Sequence, residues 1–346
     1  LYVHQLQALA KAQKQQSYVV TTGTGSGKSL AFFVPIIDRI LKAKQADPQK
    51  RTRAIVIYPM NALANSQLEE LDKFLHGYPD DQKPFTVARY TGQESDADRK
   101  QIADNPPDIL LTNFMMLELI LTRFEDVDRR VVEHCQGLEF LVLDELHTYR
   151  GRQGADVALL VRRLRERLQA HQLVCIGTSA TMSSTGTQAD RNQTVASVAS
   201  LLFGAQITEH DVIGETLERV TNPAKDIEAV KSLLKPALLK ESYHWPDFAA
   251  FSDDPLAVWV ELSLGIELPL DEPPRRARPV TLGDAAKRLA DDAQCTVEEA
   301  HAGLQRFLVA AHDVKTPQGR APFAFKLHQF ISGPGKVLAT LEPEGV

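Results

Sequence analysis

The amino-acid sequence predicts an α/β fold, a parallel β-sheet with helices on both faces, followed by a mainly helical region. Three observations carry this. From Ser17 to about Thr181, short apolar runs rich in β-branched residues alternate with longer amphipathic stretches. Several of those runs are apolar on consecutive residues, the mark of strands covered on both faces. After about Ala205 the alternation stops. A first domain is therefore expected over residues 1–205 and an accessory region over 206–346.

The strands are expected at Ser17–Thr21, Ala54–Tyr58, Thr86–Tyr90, Asp108–Thr112, Phe140–Leu143 and Leu173–Gly177. Parallel neighbours need crossover connections, so the stretches between them are read as helices. The clearest runs from Gly154 to Ala170, where Val157, Leu160, Val161, Leu164 and Leu168 form an apolar stripe. Arg162, Arg163, Arg165 and Arg167 then form a solvated face. In such a sheet, ligands bind beyond the carboxyl ends of the strands.

Past Ala205, a proline- and charge-rich stretch from Leu268 to Pro279 reads as an exposed connection. Helices are expected at Thr281–Gln294 and Thr296–His312, the second opened by a capping box of Thr296 and Glu299. Phe323, Phe325 and Leu327 alternate with Ala324, Lys326 and His328, and Lys336–Leu341 is another short β-like run. Two helices and a hairpin make a winged-helix-like unit from about residue 281, with Lys326 and His328 on an exposed face. Trp245 and Trp259 are expected in a core.

A hydrophobic content of 43% with 24% charge suits a globular protein of two domains. No run approaches the roughly eighteen apolar residues of a membrane span, and no signal-peptide pattern opens the chain, so a cytoplasmic protein is expected. Cys135, Cys175 and Cys295 lack the spacing of a zinc site or a disulfide framework and read as reduced, structural thiols. The net charge is −6, and the acidic excess lies after Ala205. Neither half could hold nucleic acid by charge alone, so strand binding would use a local groove. The chain opens on Leu1 rather than Met, so further residues are expected upstream.

Two segments carry chemistry. Thr22-Gly23-Thr24-Gly25-Ser26-Gly27-Lys28-Ser29 follows an expected strand and precedes an amphipathic helix, the context of a phosphate-binding P-loop. Glycines let backbone N–H groups curl around phosphates at a helix N-terminus. Thr24, Gly25, Ser26 and Gly27 are thus candidate cradle residues, Lys28 reaches the β and γ phosphates, and Ser29 ligates Mg²⁺. Thr22 departs from the usual pattern, which has Gly there. The second segment is Leu141-Val142-Leu143-Asp144-Glu145-Leu146-His147, a strand ending in adjacent carboxylates. Asp144 is placed to hold the metal and Glu145 to orient and deprotonate the water that attacks the γ-phosphate. His147 is the candidate for coupling this site to the rest of the molecule.

These segments stand in order with Tyr58-Pro59-Met60-Asn61-Ala62-Leu63-Ala64-Asn65-Ser66-Gln67, Thr91-Gly92, Leu111-Thr112-Asn113 and Ser179-Ala180-Thr181. The series resembles motifs I, Ia, Ib, Ic, II and III of superfamily 2 helicases, and its Asp-Glu-Leu-His places it with the DExH group. The resemblance implies a RecA-like P-loop NTPase lobe that binds ATP and Mg²⁺. Tyr2-Val3-His4-Gln5 resembles the adenine-reading motif, which implies that Gln5 contacts adenine. By the same resemblance Asn61, Thr91, Gly92, Thr112 and Asn113 face a nucleic-acid strand. Short polar side chains and glycines there would meet phosphates without reading bases. Ser179 and Thr181 would tie hydrolysis to movement. His147-Thr148-Tyr149-Arg150-Gly151 and Phe325-Lys326-Leu327-His328-Gln329-Phe330 are similar to bacterial helicases of the Mrf type, allied to the long helicase-related (Lhr) proteins. That branch includes DNA-repair helicases and subunits of phage-defence systems such as DISARM.

A helicase motor also needs a second RecA-like lobe whose arginine reaches the γ-phosphate. Its Gln-x-x-Gly-Arg-x-x-Arg signature does not follow Thr181; Gln318-Gly319-Arg320 matches only in part and reads as a turn. The second lobe is expected downstream of Val346, and this chain alone is expected to bind ATP but hydrolyse it slowly. The function expected is that of a DNA helicase or translocase acting on single-stranded or partly duplex DNA. Alternatives are an RNA helicase of the same fold, or a nucleotide-regulated scaffold working with repair or defence subunits. The phosphate-facing motifs do not separate the two sugars.

Overall fold

The computed structural model describes residues 1–23, 26–47, 49–79, 82–179, 187–269 and 274–323. The chain divides into two units, Leu1–Thr216 and the remainder from Leu217.

The first unit runs α1 (Val3–Gln13), β1 (Tyr18–Thr21), α2 (Lys28–Ala46), β2 (Ala54–Tyr58), α3 (Asn61–Leu75), β3 (Val87–Tyr90), α4 (Asp96–Asp104), β4 (Ile109–Asn113), α5 (Phe114–Thr122), α6 (Asp126–His134), β5 (Phe140–Leu143), α7 (Gly151–Arg167), β6 (Val174–Ser179), α8 (Gln188–Phe203) and β7 (Val212–Gly214). The seven strands are parallel, in the order β3-β4-β2-β5-β6-β1-β7. Successive residues of a strand point to opposite faces, and both faces are apolar. Ile55, Ile57, Leu141 and Leu143 pack with α5, α7 and α8, whereas Ala54, Val56, Tyr58 and Val142 pack with α1, α2 and α3. That is why these strands read as unbroken apolar runs.

One expectation needs correction. The sheet does not end before Ala205: β7 pairs with β1, Val19 opposite Val212, so the first unit extends to Thr216. Three residues are too few to show a strand pattern. The arginine face of α7 is solvated as expected, with Arg162, Arg163 and Arg167 exposed and Arg165 partly so, and three of its members also find partners. Arg162 and Arg165 donate to the carbonyls of Leu201 (3.2 Å) and Phe203 (3.1 Å), satisfying the last turn of α8. Arg163 pairs with Glu118 of α5.

The second unit contains α9 (Ile227–Leu238), α10 (Phe248–Ser252), α11 (Pro255–Val260), a π-helical turn at Glu261–Gly265, β8 (Ile266–Glu267), β9 (Arg275–Arg276), α12 (Leu282–Ala293) and α13 (Val297–His312). β8 and β9 form a small antiparallel pair, with β9 falling inside the stretch Leu268–Pro279 expected to be wholly an exposed connection. Trp259 is fully buried and donates from Nε1 to Asp292 Oδ2 at 2.8 Å. Trp245 packs edge-on against Phe251 and Phe307 and donates to Asp254 Oδ2 at 3.0 Å. Thr296 and Glu299 form the capping box that opens α13. Residues 316–320 form a turn, with Gly319 at φ 76° and Thr316 N–H donating to Arg320 O at 2.7 Å. Phe325, Lys326, Leu327, His328 and the run 336–341 lie outside the described residues.

Cys135 and Cys175 are buried free thiols, and burial pushes each up to about 12. Among the described residues, no helix is long and apolar enough to cross a membrane.

Candidate functional site

The loop after β1 leads directly into α2, whose first residues are Lys28 and Ser29. The free N–H groups of that first turn, with the Lys28 ammonium, make an anion site. Thr24 and Gly25 lie outside the described residues. Before them, Thr22 Oγ1 lies 2.6 Å from Ser26 Oγ. Gly27 has φ 76°, and a Cβ there would fall 2.7 Å from Gln5 Nε2, so conformation and space both demand glycine. Gln5 is only 2% exposed. Its Nε2 donates to Gly27 O at 3.0 Å, and its Oε1 accepts from Tyr2 N–H at 2.9 Å. The residue expected to meet adenine thus ties α1 to the P-loop through Nε2, while Oε1 caps the start of α1 itself.

Asp144 and Glu145 follow β5, between β2 and β6 in the sheet. Asp144 N–H donates to Ile57 O at 3.0 Å, carrying the ladder one residue past the strand. Glu145 turns out of it in a left-handed conformation, φ 53° and ψ 56°, which is unusual for a residue with a Cβ. Its Oε1 lies 3.9 Å from Lys28 Nζ. His147 Nδ1 lies 3.3 Å from Glu145 Oε2 and 3.3 Å from Ser179 Oγ, so the imidazole bridges the acid pair to the end of β6. Thr181 lies outside the described residues. Burial raises the Asp144 carboxyl above its ordinary range; the Glu145 charge adds to this, while a Thr178 hydrogen bond and Lys28 oppose it. Thr178, which the motif series did not include, donates to Asp144 Oδ1 and accepts from Glu145 N–H at 3.1 Å. Its adjacency to Ser179 was the only sequence signal for it.

Ser29 and Asp144 offer a hydroxyl and a carboxylate, hard oxygen donors that fit Mg²⁺. Among the described residues no group of three His, Cys, Asp or Glu could hold a metal. A cation here would therefore draw its remaining ligands from water and phosphate, as Mg²⁺ commonly does.

Beside this site, the loops after β2, β3 and β4 are joined through Asn113. Its Nδ2 donates to Asn61 Oδ1 at 2.7 Å and to Thr91 O at 3.1 Å, and its Oδ1 caps α5 by accepting from Met116 N–H at 2.7 Å. Asn61 and Asn113 are partly exposed. Thr112 is not at the surface: it is fully buried, and its hydroxyl donates to Tyr90 O at 2.6 Å inside the sheet. Thr91 and Gly92 also differ from expectation. Their N–H groups donate to Glu94 Oε2 at 2.7 and 2.9 Å, the Thr91 hydroxyl to Oε1 at 3.0 Å, and Arg89 Nε to Oε1 at 2.6 Å. Donors expected to meet a phosphate are thus engaged by a carboxylate of the same loop. Burial disfavours the Glu94 charge, but these donors outweigh it and hold the carboxyl below its usual range. An acid three residues after Thr91 has the reach to fold back on its own backbone.

Residues 2–189 match the family model described as DEAD/DEAH box helicase. The chain is similar to the "Uncharacterized ATP-dependent helicase YprA" of Bacillus subtilis, 34% identical over 186 residues that cover 53% of this chain and 23% of that protein. It is also similar to the "Lhr helicase/uracil glycosylase" of Escherichia coli, 32% identical over 186 residues that cover 50% of this chain and 12% of that protein. The chain therefore spans less than a quarter of the length of either relative. Among solved structures, the Mycobacterium smegmatis helicase Lhr bound to ssDNA and AMP-PNP matches with a TM-score of 0.50 and 25% identity, covering 69% of this chain and 31% of that one.

Proposed function

The chain belongs to the DEAD/DEAH box helicase family, and from that membership we propose that it is the ATP-binding lobe of a DNA helicase or translocase of the Mrf and Lhr branch, acting in DNA repair or phage defence. The carrying observation is the acid pair at the carboxyl edge of the sheet. Glu145 lies 3.9 Å from Lys28 on one side and 3.3 Å from His147 on the other.

In this reading the phosphates of ATP rest on the N-terminus of α2, cradled by residues 24–27 and neutralised by Lys28. Ser29 and Asp144 would hold Mg²⁺, which would supply further neutralising charge for the phosphates. Glu145 takes a proton from a water whose oxygen attacks the γ-phosphorus. The bond from that phosphorus to the β–γ bridging oxygen breaks, leaving ADP and phosphate. Gln5 holds the adenine-side segment against the P-loop, and His147 with Ser179 and Thr181 passes the change at Glu145 to the end of β6. Asn61 and Asn113 meet the strand phosphates, with Thr91, Gly92 and Thr112 supporting them from within. DNA is favoured as the strand because the similar Lhr structure is of a complex with ssDNA. A second lobe supplies the arginine that completes the motor.

The test is ATPase activity and unwinding by the full-length protein, with single-stranded DNA or RNA as activator, for wild type and Glu145→Gln. The substitution should lower kcat by roughly 10²–10⁴ with ATP still bound. Unchanged unwinding would refute the role of Glu145, and equal stimulation by RNA would refute the preference for DNA.

A further inference from the structure

We propose that Thr178 is a positioning residue for ATP hydrolysis, its hydroxyl clamping both acids in their working geometry. The inference rests on reading Asp144 and Glu145 as the hydrolytic pair. Thr178 lies on β6 one residue beyond the Gly177–Leu143 pairing with β5, which brings it beside Asp144. It is fully buried. Its hydroxyl donates to Asp144 Oδ1 and accepts from Glu145 N–H at 3.1 Å, so its donor and an acceptor site are both in use.

Each bond does separate work. The left-handed turn at Glu145 takes that residue's N–H off the β5 ladder, and the Thr178 oxygen receives it. A side-chain residue persists in this backbone region only where its surroundings hold it there. The direction of the Glu145 carboxylate, towards Lys28 and His147, depends on that turn. The bond to Asp144 Oδ1 fixes the plane of the second carboxylate and leaves Oδ2 for the cation. Ser179, the next residue of the strand and so directed to the opposite face of the sheet, reaches His147. Neighbouring residues of β6 therefore hold the acid pair and its histidine from two directions.

The experiment compares wild type, Thr178→Val, which keeps the shape without the hydroxyl, and Thr178→Ser, which keeps the hydroxyl. Three quantities are read in the full-length protein: kcat and KM for ATP, the Mg²⁺ concentration that half-saturates binding of a fluorescent non-hydrolysable ATP analogue, and the melting temperature. Losing hydrogen bonds to charged or buried groups corresponds to about tenfold or more, so Thr178→Val should lower kcat by at least about tenfold. It should also raise the Mg²⁺ half-saturation, leave KM for ATP nearly unchanged, and Thr178→Ser should recover most of the lost kcat. Wild-type kcat and Mg²⁺ response in Thr178→Val would overturn the proposal. So would equal losses in Val and Ser that follow melting temperature, because these would report methyl packing alone. If Thr178→Val does not fold, Thr178→Ala against Thr178→Ser decides on the same readouts. Absence of ATPase in the wild type, or full activity in Glu145→Gln, would instead refute the reading of the acid pair.

Discussion

Replacing Gly177 with alanine tests how tightly β6 is packed against the turn that carries the acids. A Cβ at Gly177 would lie 2.4 Å from Leu146 Cδ1, 3.0 Å from Leu146 Cγ and 3.1 Å from Phe203 Cζ. Leu146 and Phe203 are both fully buried in the same core, so neither can swing into solvent. Inserting a methyl into such a core costs about 1–3 kcal/mol. Alanine also reduces the freedom of the unfolded chain, which offsets about 0.4–1 kcal/mol. Mid-range values of about 2 and about 0.7 kcal/mol leave a net loss of about 1.3 kcal/mol, and at about 2–4 °C per kcal/mol for a unit of this size the melting temperature should fall by about 3–5 °C. Leu146 follows Glu145 directly, so the strain should also lower ATPase activity. Thermal unfolding of wild type, Gly177→Ala, Leu146→Ala and the double variant gives the decisive comparison. Leu146→Ala alone should cost about 2–5 kcal/mol. Adding Gly177→Ala to it should cost almost nothing, because the new methyl enters the space just vacated, a coupling of about 1–2 kcal/mol. A wild-type melting temperature for Gly177→Ala, or the same penalty in both backgrounds, would refute the packing argument.

Glu94 should make a pH-dependent contribution to stability. Its carboxyl is held below the ordinary value of 4.5, so the stabilisation is present above about that pH and is lost as pH falls through the lower native value. Glu94→Gln should therefore melt below wild type at pH 7, with the gap closing as the pH falls through the lowered native value; a gap independent of pH would show that the charge is irrelevant. Cysteine accessibility gives a further check. Iodoacetamide at pH 8 followed by intact-mass measurement should modify Cys295, which is partly exposed, and spare Cys135 and Cys175 until the chain is unfolded. Rapid modification of all three in the native protein would contradict their burial.

Much of the first unit was legible in the sequence because its signals are local. Unbroken apolar runs mark strands buried on both faces, and a glycine-rich turn between strand and helix marks a phosphate site whatever else surrounds it. The short strand β7 gave no such signal, since Val212-Ile213-Gly214 is a strand only by virtue of pairing with β1. The arginines of α7 look solvated from their helical spacing alone. That two of them cap α8 depends on how the two helices meet, which spacing along α7 does not encode.

At the site itself, sequence order identified the loops but not the direction of each side chain. The parallel sheet brings the ends of β2, β3 and β4 to one edge, so Asn61, Thr91, Gly92, Thr112 and Asn113 arrive together. The alternation of strand side chains then separates immediate neighbours: Thr112 turns inward to Tyr90 O, while Asn113 turns outward to Asn61. The partners that complete the arrangement lie just outside the recognised segments, Glu94 beyond Thr91-Gly92 and Thr178 before Ser179-Ala180-Thr181. Both meet motif residues through hydrogen bonds, Thr178 just before a short motif and Glu94 just after one. A motif thus marks where the chain can meet a ligand, whereas the residue beside it decides which donors and acceptors are left to do so. Thr91 and Gly92 lose their donors to Glu94 in this way, and the left-handed turn that aims Glu145 keeps its N–H partner through Thr178.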